Sequence, residues 1–120
     1  MAAPNIVNVA TITGITTGRA LTTTTTTQLL TNVASSNKVF KVNSIVVANV
    51  AGSSAADVTI AYKDGSTSYH LASTVSVPAD STLIVVDKNA SLYLEEGTKL
   101  VGGASANSDL EAVISYEEIS

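Results

Sequence analysis

The stretch from residue 38 to residue 50 limits the possible folds more than any other part of this sequence, because it alternates with a period of two residues. Successive side chains of a β-strand point to opposite faces of the sheet. One face of this strand would carry the side chains of Phe40, Val42, Val46, Ala48 and Val50. The other face would be mixed, with Lys41, Asn43, Ile45, Val47 and Asn49. The pattern predicts a central strand of a β-sandwich whose apolar face packs against a second sheet.

Similar alternation follows along the chain. Residues 57–63 predict a strand with Val58, Ile60 and Tyr62 facing inward. The dipeptide Asp64-Gly65 then predicts a tight hairpin, because its residues accept the positive φ that such a turn requires. The side chains expected on the inner side of the return strand are Tyr69, Leu71, Val75 and Val77. His70 is expected to point outward.

Further segments complete the strand pattern, among them Leu92–Leu94 and a strand near Lys99–Ala104. Leu83–Val86 is a continuous apolar run, and residues 110–119 alternate again. The inward side chains of this last strand would be Leu110, Ala112, Ile114 and Tyr116. With about eight short strands and no helical period, the sequence predicts an all-β protein. Its expected architecture is an antiparallel two-sheet β-sandwich, jelly-roll or immunoglobulin-like in its wiring, with an extended N-terminal arm.

The N-terminal part is less regular than the rest. Residues 1–18 predict either an arm that reaches onto a neighbouring copy or a first strand, because their alternation is poor. Residues 19–120 are expected to form a single β-sandwich domain. Within it, Thr22–Thr27 predicts a strand, since β-branched side chains favour extended backbone. Threonine cannot fill a core, so this strand is expected at a sheet edge or against a partner chain.

The surface is expected to be poor in charge. Charged residues make up 13% of the sequence, and the net charge of −4 comes without a basic cluster, so binding to nucleic acid is not expected. A neutral surface favours a subunit that associates with other subunits, although a weakly charged monomer is the alternative. The start of the chain lacks a signal-peptide pattern, and no stretch approaches the ~20 apolar residues of a membrane span, so an origin in the cytosol is expected.

The sequence shows no catalytic, cofactor or metal-binding signature. The chain has one histidine, His70, no cysteine and no Gly-x-Ser-x-Gly motif, so we expect no enzyme activity and no cofactor. A carbohydrate-binding module is the alternative from another functional class. Sugars stack on exposed aromatic rings. Because Tyr62, Tyr69 and Tyr116 share the inward parity, Tyr93 is the one expected platform.

Four segments resemble small structural proteins from the virions of tailed bacteriophages, particularly those that infect cyanobacteria. The segments are Val42-Asn-Ser-Ile-Val-Val-Ala-Asn-Val50, Val77-Pro-Ala-Asp80, Leu92-Tyr-Leu-Glu-Glu-Gly97 with Leu100 downstream, and Asp109-Leu-Glu-Ala-Val-Ile-Ser-Tyr-Glu-Glu-Ile-Ser120. Together they span roughly two thirds of the chain. The resemblance implies a β-sandwich accessory of the capsid or the tail, located in the virion after synthesis in the host cytoplasm. It implies no catalytic residues.

The function expected from the resemblance and the neutral surface is capsid decoration, in which the protein cements neighbouring capsomers. The expected partners are the major capsid protein or other virion proteins, together with further copies of this chain, for example in a trimer. A component of the neck, tail or fibre is the alternative. The expected contact residues are Pro4, Ile6, Val7, Val9, Ile12, Thr22, Thr23, Thr24, Thr25, Thr26 and Thr27.

Overall fold

Antiparallel strands account for most of residues 11–120, the part of the chain that the computed structural model describes. The strands are β1 (Ile12–Ala20), β2 (Thr27–Thr31), β3 (Val39–Asn49), β4 (Ala56–Asp64), β5 (Thr67–Val77), β6 (Thr82–Val86), β7 (Leu92–Leu94), β8 (Thr98–Ala104) and β9 (Leu110–Ile119). A short 3-10 helix, Lys88–Ala90, lies between β6 and β7. Of the predicted arm or first strand at residues 1–18, the part from Ile12 onward belongs to β1.

The strands form two sheets that pack face to face. In the five-stranded sheet the order is β1-β9-β3-β6, and β7 pairs with β3 beside β6. The four-stranded sheet has the order β2-β8-β4-β5. All strand pairs are antiparallel. The predicted all-β sandwich of two antiparallel sheets is therefore confirmed.

The core lies between the two sheets and is built from aliphatic side chains of both. The five-stranded sheet contributes Val42, Ile45, Val47, Leu94, Leu110 and Ile114, and the four-stranded sheet contributes Val58, Ile60, Val77 and Leu100. Each such side chain stabilises the fold by about 1.5–3 kcal/mol when it is fully buried. Tyr62 and Tyr116 pack against this core from its margin, as their inward parity predicts.

A β-bulge in β3 overturns part of the predicted alternation. The register between β3 and β9 shifts between Val42 and Ser44. A bulge adds one residue to one strand, so every side chain beyond it changes face. The buried residues of β3 on the core side are therefore Phe40, Val42, Ile45, Val47 and Asn49. The prediction that Val46, Ala48 and Val50 face the core was wrong: Val46 and Ala48 are half-buried, and Val50 is exposed.

Asn49 can be buried at one end of the sandwich because its side-chain amide makes three hydrogen bonds with backbone groups there. Its Nδ2 donates to the carbonyl oxygens of Ser54 and Val77, both at 2.9 Å, and its Oδ1 accepts from the backbone N–H of Ala51 at 2.9 Å. Buried polar groups are tolerated when such bonds satisfy them. The side chain thus ties the loop after β3 to the end of β5.

Asn32 has the equivalent role at the other end and is fully buried. Its Nδ2 donates to the carbonyl oxygens of Lys38 and Leu94 at 2.8 and 2.9 Å, and its Oδ1 accepts from Ser36 Oγ. These bonds join the turn between β2 and β3 to β7. Because β2 and β7 belong to different sheets, Asn32 links the two layers.

The threonine tract is a connection between the sheets and not the predicted strand. Residues 22–26 precede β2, which begins at Thr27, and they are exposed. The Thr22 carbonyl accepts from the Ala104 N–H at 2.8 Å, and the Thr23 N–H donates to Asn107 Oδ1 at 2.9 Å. The chain must pass here from one sheet to the other, so the β-propensity of threonine is overridden by the tertiary connection.

Candidate interaction surfaces

Of the contact residues predicted from the sequence, the structure describes Ile12 and Thr22–Thr27. Pro4, Ile6, Val7 and Val9 lie outside the described residues. Ile12 is exposed at the start of β1, and Thr22 follows the end of the same strand. Ile12 and Ala20, the two ends of β1, are eight residue steps apart, which corresponds to about 26 Å of strand. The exposed threonines and Ile12 therefore lie toward opposite ends of the sandwich.

The outer face of the five-stranded sheet carries a continuous apolar row across four strands. The pairing register aligns Gly18 of β1 with Val113 of β9, Val113 with Val46 of β3, and Val46 with Ile84 of β6. We call these four residues the apolar row. Val113 is 43% exposed and Ile84 is 61% exposed, while Val46 between them is half-buried. Residues that pair directly across strands share a face, so the row forms one strip.

The residues flanking the row are small and mostly neutral. On one side, the register aligns Ala20, Glu111, Ala48 and Thr82. On the other side it aligns Thr16, Ser115 and Ser44, and the hydroxyls of Thr16 and Ser115 lie 3.1 Å apart. Next to the row, a shallow depression of about 280 Å³ is lined by Gly18, Arg19, Ala20, Glu111, Ala112 and Val113. In this depression a partner would have to desolvate Arg19 and Glu111, while the other lining residues are uncharged.

Sequence reasoning missed the apolar row because of the bulge in β3. The predicted parity assigned Val46 to the core, whereas the register shift turns it outward. The consecutive polar residues Asn43 and Ser44 are a sequence signal that could have located it, because they interrupt the alternation at the position of the shift.

A second surface is an aromatic groove between the edges of the two sheets. It has a volume of about 330 Å³, and its lining residues are Tyr62, Tyr69, His70, Leu71, Leu92 and Tyr93. The predicted hairpin at Asp64-Gly65 positions Tyr62 and Tyr69. Gly65 has a φ of 63°, and β4 pairs with β5 so that Tyr62 lies opposite Tyr69. Their ring centroids are 6.5 Å apart at an interplanar angle of 29°. The two rings thus form a stacked pair on the groove wall.

The groove is open because the strands facing β5 are short. β6 has five residues and β7 has three, and both pair with β3 at the edge opposite β5. Tyr69, Leu71 and Val75 were expected to be covered on the inner side of β5, but all three are exposed. For Leu71 the reason is a register shift between β4 and β5, which pairs Ile60 with Ala72, so that Ala72 is buried instead. In contrast, Val77 is buried as predicted. The conclusion that Tyr93 is the one aromatic platform was therefore wrong, since Tyr69 is 61% exposed and Tyr93 is 44% exposed.

Two carboxylates, those of Asp64 and Glu95, act on the Tyr62 phenol at the groove. Burial raises the pKa of the Tyr62 phenol, the nearby carboxylates of Asp64 and Glu95 raise it further, and a hydrogen bond with Thr98 opposes them. The phenol is therefore protonated at neutral pH and can donate a hydrogen bond. His70 is exposed beside the groove, as the sequence predicted.

Residues 11–120 contain neither a candidate metal site nor a candidate membrane-spanning helix. Within that range, no group of three or more His, Cys, Asp or Glu residues could hold a metal ion. In the same residues, no helix has the length and apolar character needed to cross a membrane. The surfaces that remain as candidates are the apolar row and the aromatic groove.

Comparison with known proteins adds no assignment. A scan against protein-family models found no family that matches the chain. A search of curated proteins found no matching sequence. Function is therefore inferred from the chain's own surfaces.

Proposed function

We propose that this chain is a non-enzymatic structural protein of a tailed-bacteriophage virion that decorates the capsid by binding neighbouring major capsid proteins. The observation that carries the proposal is the apolar row on the outer face of the five-stranded sheet, formed by Gly18, Val113, Val46 and Ile84. The resemblance of the strand and turn segments to virion proteins gives the biological context. In this proposal the row contacts a capsid subunit.

Adhesion through this face is favoured by its composition. Covering an exposed Val or Ile side chain removes apolar area from water, and full burial is worth about 1.5–3 kcal/mol per side chain. Val113 and Ile84 are both substantially exposed, so each can gain part of this free energy on contact. The flanking rows are mostly neutral and small, with one carboxylate at Glu111, so desolvation of charge opposes the contact only weakly.

A single copy of the row would give a modest affinity, and repetition would increase it. A homo-oligomer, for example a trimer, would present several copies of the row to a regular capsid lattice. Linked contacts of this kind bind far more tightly than each contact alone, because the later binding events are intramolecular. The low share of charged residues, 13%, agrees with a surface that is covered by other subunits.

The test replaces Val113 with Asp and measures how much protein binds to particles that lack it. A carboxylate in a covered apolar contact is poorly solvated, so we expect affinity to fall about tenfold or more. Val33→Asp is the matched control, because Val33 is 62% exposed but lies after β2, away from the row. Both variants should melt like the parent protein.

Bound protein would be measured by densitometry of stained gels of purified particles. Equal binding of the two variants would contradict the assignment of the apolar row. A chain that is missing from purified virions altogether would contradict the virion function itself.

A component of the neck, tail or fibre is the alternative location, and it would use the same surface for a different partner. Copy number separates the two. A decoration protein should approach the major capsid protein in abundance on a stained gel of whole particles, whereas a tail component should be scarce. Scarcity would move the proposal from the shell to the tail.

A further inference from the structure

We propose that the aromatic groove between the sheet edges binds a neutral saccharide. The proposal rests on the juxtaposition of the stacked pair Tyr62 and Tyr69 with Tyr93 and His70 around one groove of about 330 Å³. A groove of this size is within the range of small-ligand sites in proteins. It is independent of the virion assignment, because the groove and the apolar row share no residue.

The lining matches the amphipathic surface of a pyranose ring. Such a ring has apolar C–H faces and a rim of hydroxyl groups. Exposed aromatic faces, here those of Tyr69 and Tyr93, are the protein groups on which C–H faces pack. The phenol hydroxyls can donate or accept hydrogen bonds at the rim. The leucines at positions 71 and 92 supply the apolar remainder of the wall.

The charges around the groove favour a neutral sugar over an anionic one. Asp64 and Glu95 lie close enough to Tyr62 to act on its phenol electrostatically. Neither Lys nor Arg occurs among the lining residues, all of which belong to the described part of the chain. Lys41 pairs with Tyr93 across β3 and β7, but it is not among the lining residues. Sialic acids, uronic acids and sulfated sugars would therefore meet like charge beside Tyr62. Neutral hexoses and N-acetylhexosamines would not.

The first experiment screens the intact protein on an array that holds neutral, sialylated and sulfated glycans. The strongest neutral ligand is then titrated in solution by calorimetry and by intrinsic fluorescence. Tyrosine is the fluorophore in this chain, which has four tyrosines and no tryptophan, and three of the four line the groove. We expect saturable binding of a neutral glycan together with a change in tyrosine emission.

Variants at Tyr69 make the test specific to the groove. Tyr69 is 61% exposed, so its replacement should leave the fold intact. Tyr69→Ala removes the stacking surface and should weaken binding about threefold to tenfold. Tyr69→Phe keeps the ring and should lose much less. Ile84→Ala, an equally exposed apolar truncation on the other face, should bind like the parent protein.

Any of four results would overturn the proposal. The first is an array on which no neutral glycan is bound, and the second is a preference for sialylated or sulfated glycans. The third is binding that Tyr69→Ala leaves unchanged. If the purified protein instead dimerises and Tyr69→Ala abolishes the dimer, the groove is a contact between copies of this chain, and the saccharide site is likewise rejected.

Discussion

Replacing Gly103 with alanine tests where the threonine connection packs. Gly103 lies in β8, beside the backbone of residues 22–24. A Cβ at this position would lie 2.7 Å from the carbonyl oxygens of both Thr22 and Thr24 and 2.9 Å from the carbonyl carbon of Thr24. Distances below 3.0 Å essentially never occur for real Cβ atoms. Because the clashing atoms are backbone atoms, the connection or the strand has to move.

The expected cost follows from two contributions. Overpacking a well-packed site costs about 1–3 kcal/mol. If the connection moves away from β8, the hydrogen bond from the Ala104 N–H to the Thr22 carbonyl, 2.8 Å long, is also weakened. Such a bond is worth about 1 kcal/mol. Gly103→Ala should therefore lower the free energy of unfolding by about 2–4 kcal/mol.

Gly14 provides the matched control. It lies in β1, and a Cβ built there meets no atom within 4 Å. Gly14→Ala should raise the free energy of unfolding by up to about 1 kcal/mol, because alanine restricts the unfolded chain and meets no clash there. Both variants would be measured by urea denaturation followed by circular dichroism. If Gly103→Ala is as stable as Gly14→Ala, the threonine connection does not pack on β8, and the placement of residues 22–26 is wrong.

Two further predictions concern buried polar groups. Asn32→Ala leaves the carbonyl oxygens of Lys38 and Leu94 without their donors, so it should lower the free energy of unfolding by about 2–4 kcal/mol. The measurement is urea denaturation, and an unchanged midpoint would contradict the role of Asn32 between the sheets. Burial raises the pKa of both Tyr62 and Tyr116, so the stability they contribute is present below about pH 10 and is lost as the pH rises through the raised pKa values. The double variant Tyr62→Phe/Tyr116→Phe should lose less stability between pH 9 and 11 than the parent protein, and parallel losses would contradict this.

The general architecture could be predicted because alternation and turn chemistry are local properties. The residues 57–63 and the Asp64-Gly65 turn both indicate a hairpin, and β4 and β5 form it. The position of a bulge is not local, because it depends on how β3 pairs with β9. For this reason the parity was right at Phe40 and Val42 and wrong from Ile45 onward. The prediction of a strand at the threonine tract was wrong for a similar reason, since the connection between the two sheets overrides the β-propensity of threonine.

The candidate surfaces were harder to predict than the fold. Parity correctly placed Tyr69 on the same side as Tyr62, because the two residues pair across β4 and β5. It could not show that the opposite sheet ends in the short strands β6 and β7, which leave Tyr69 exposed. The covering of a side chain depends on the facing sheet, and that information is absent from the pattern of its own strand.

The most direct test of the proposed function is a reconstruction of the virion at a resolution that separates strands. The account predicts density for this sandwich at regular positions on the capsid, with the outer face of the five-stranded sheet, including Val113 and Ile84, against the shell. Density with that face toward solvent, or a capsid without the sandwich, would contradict it.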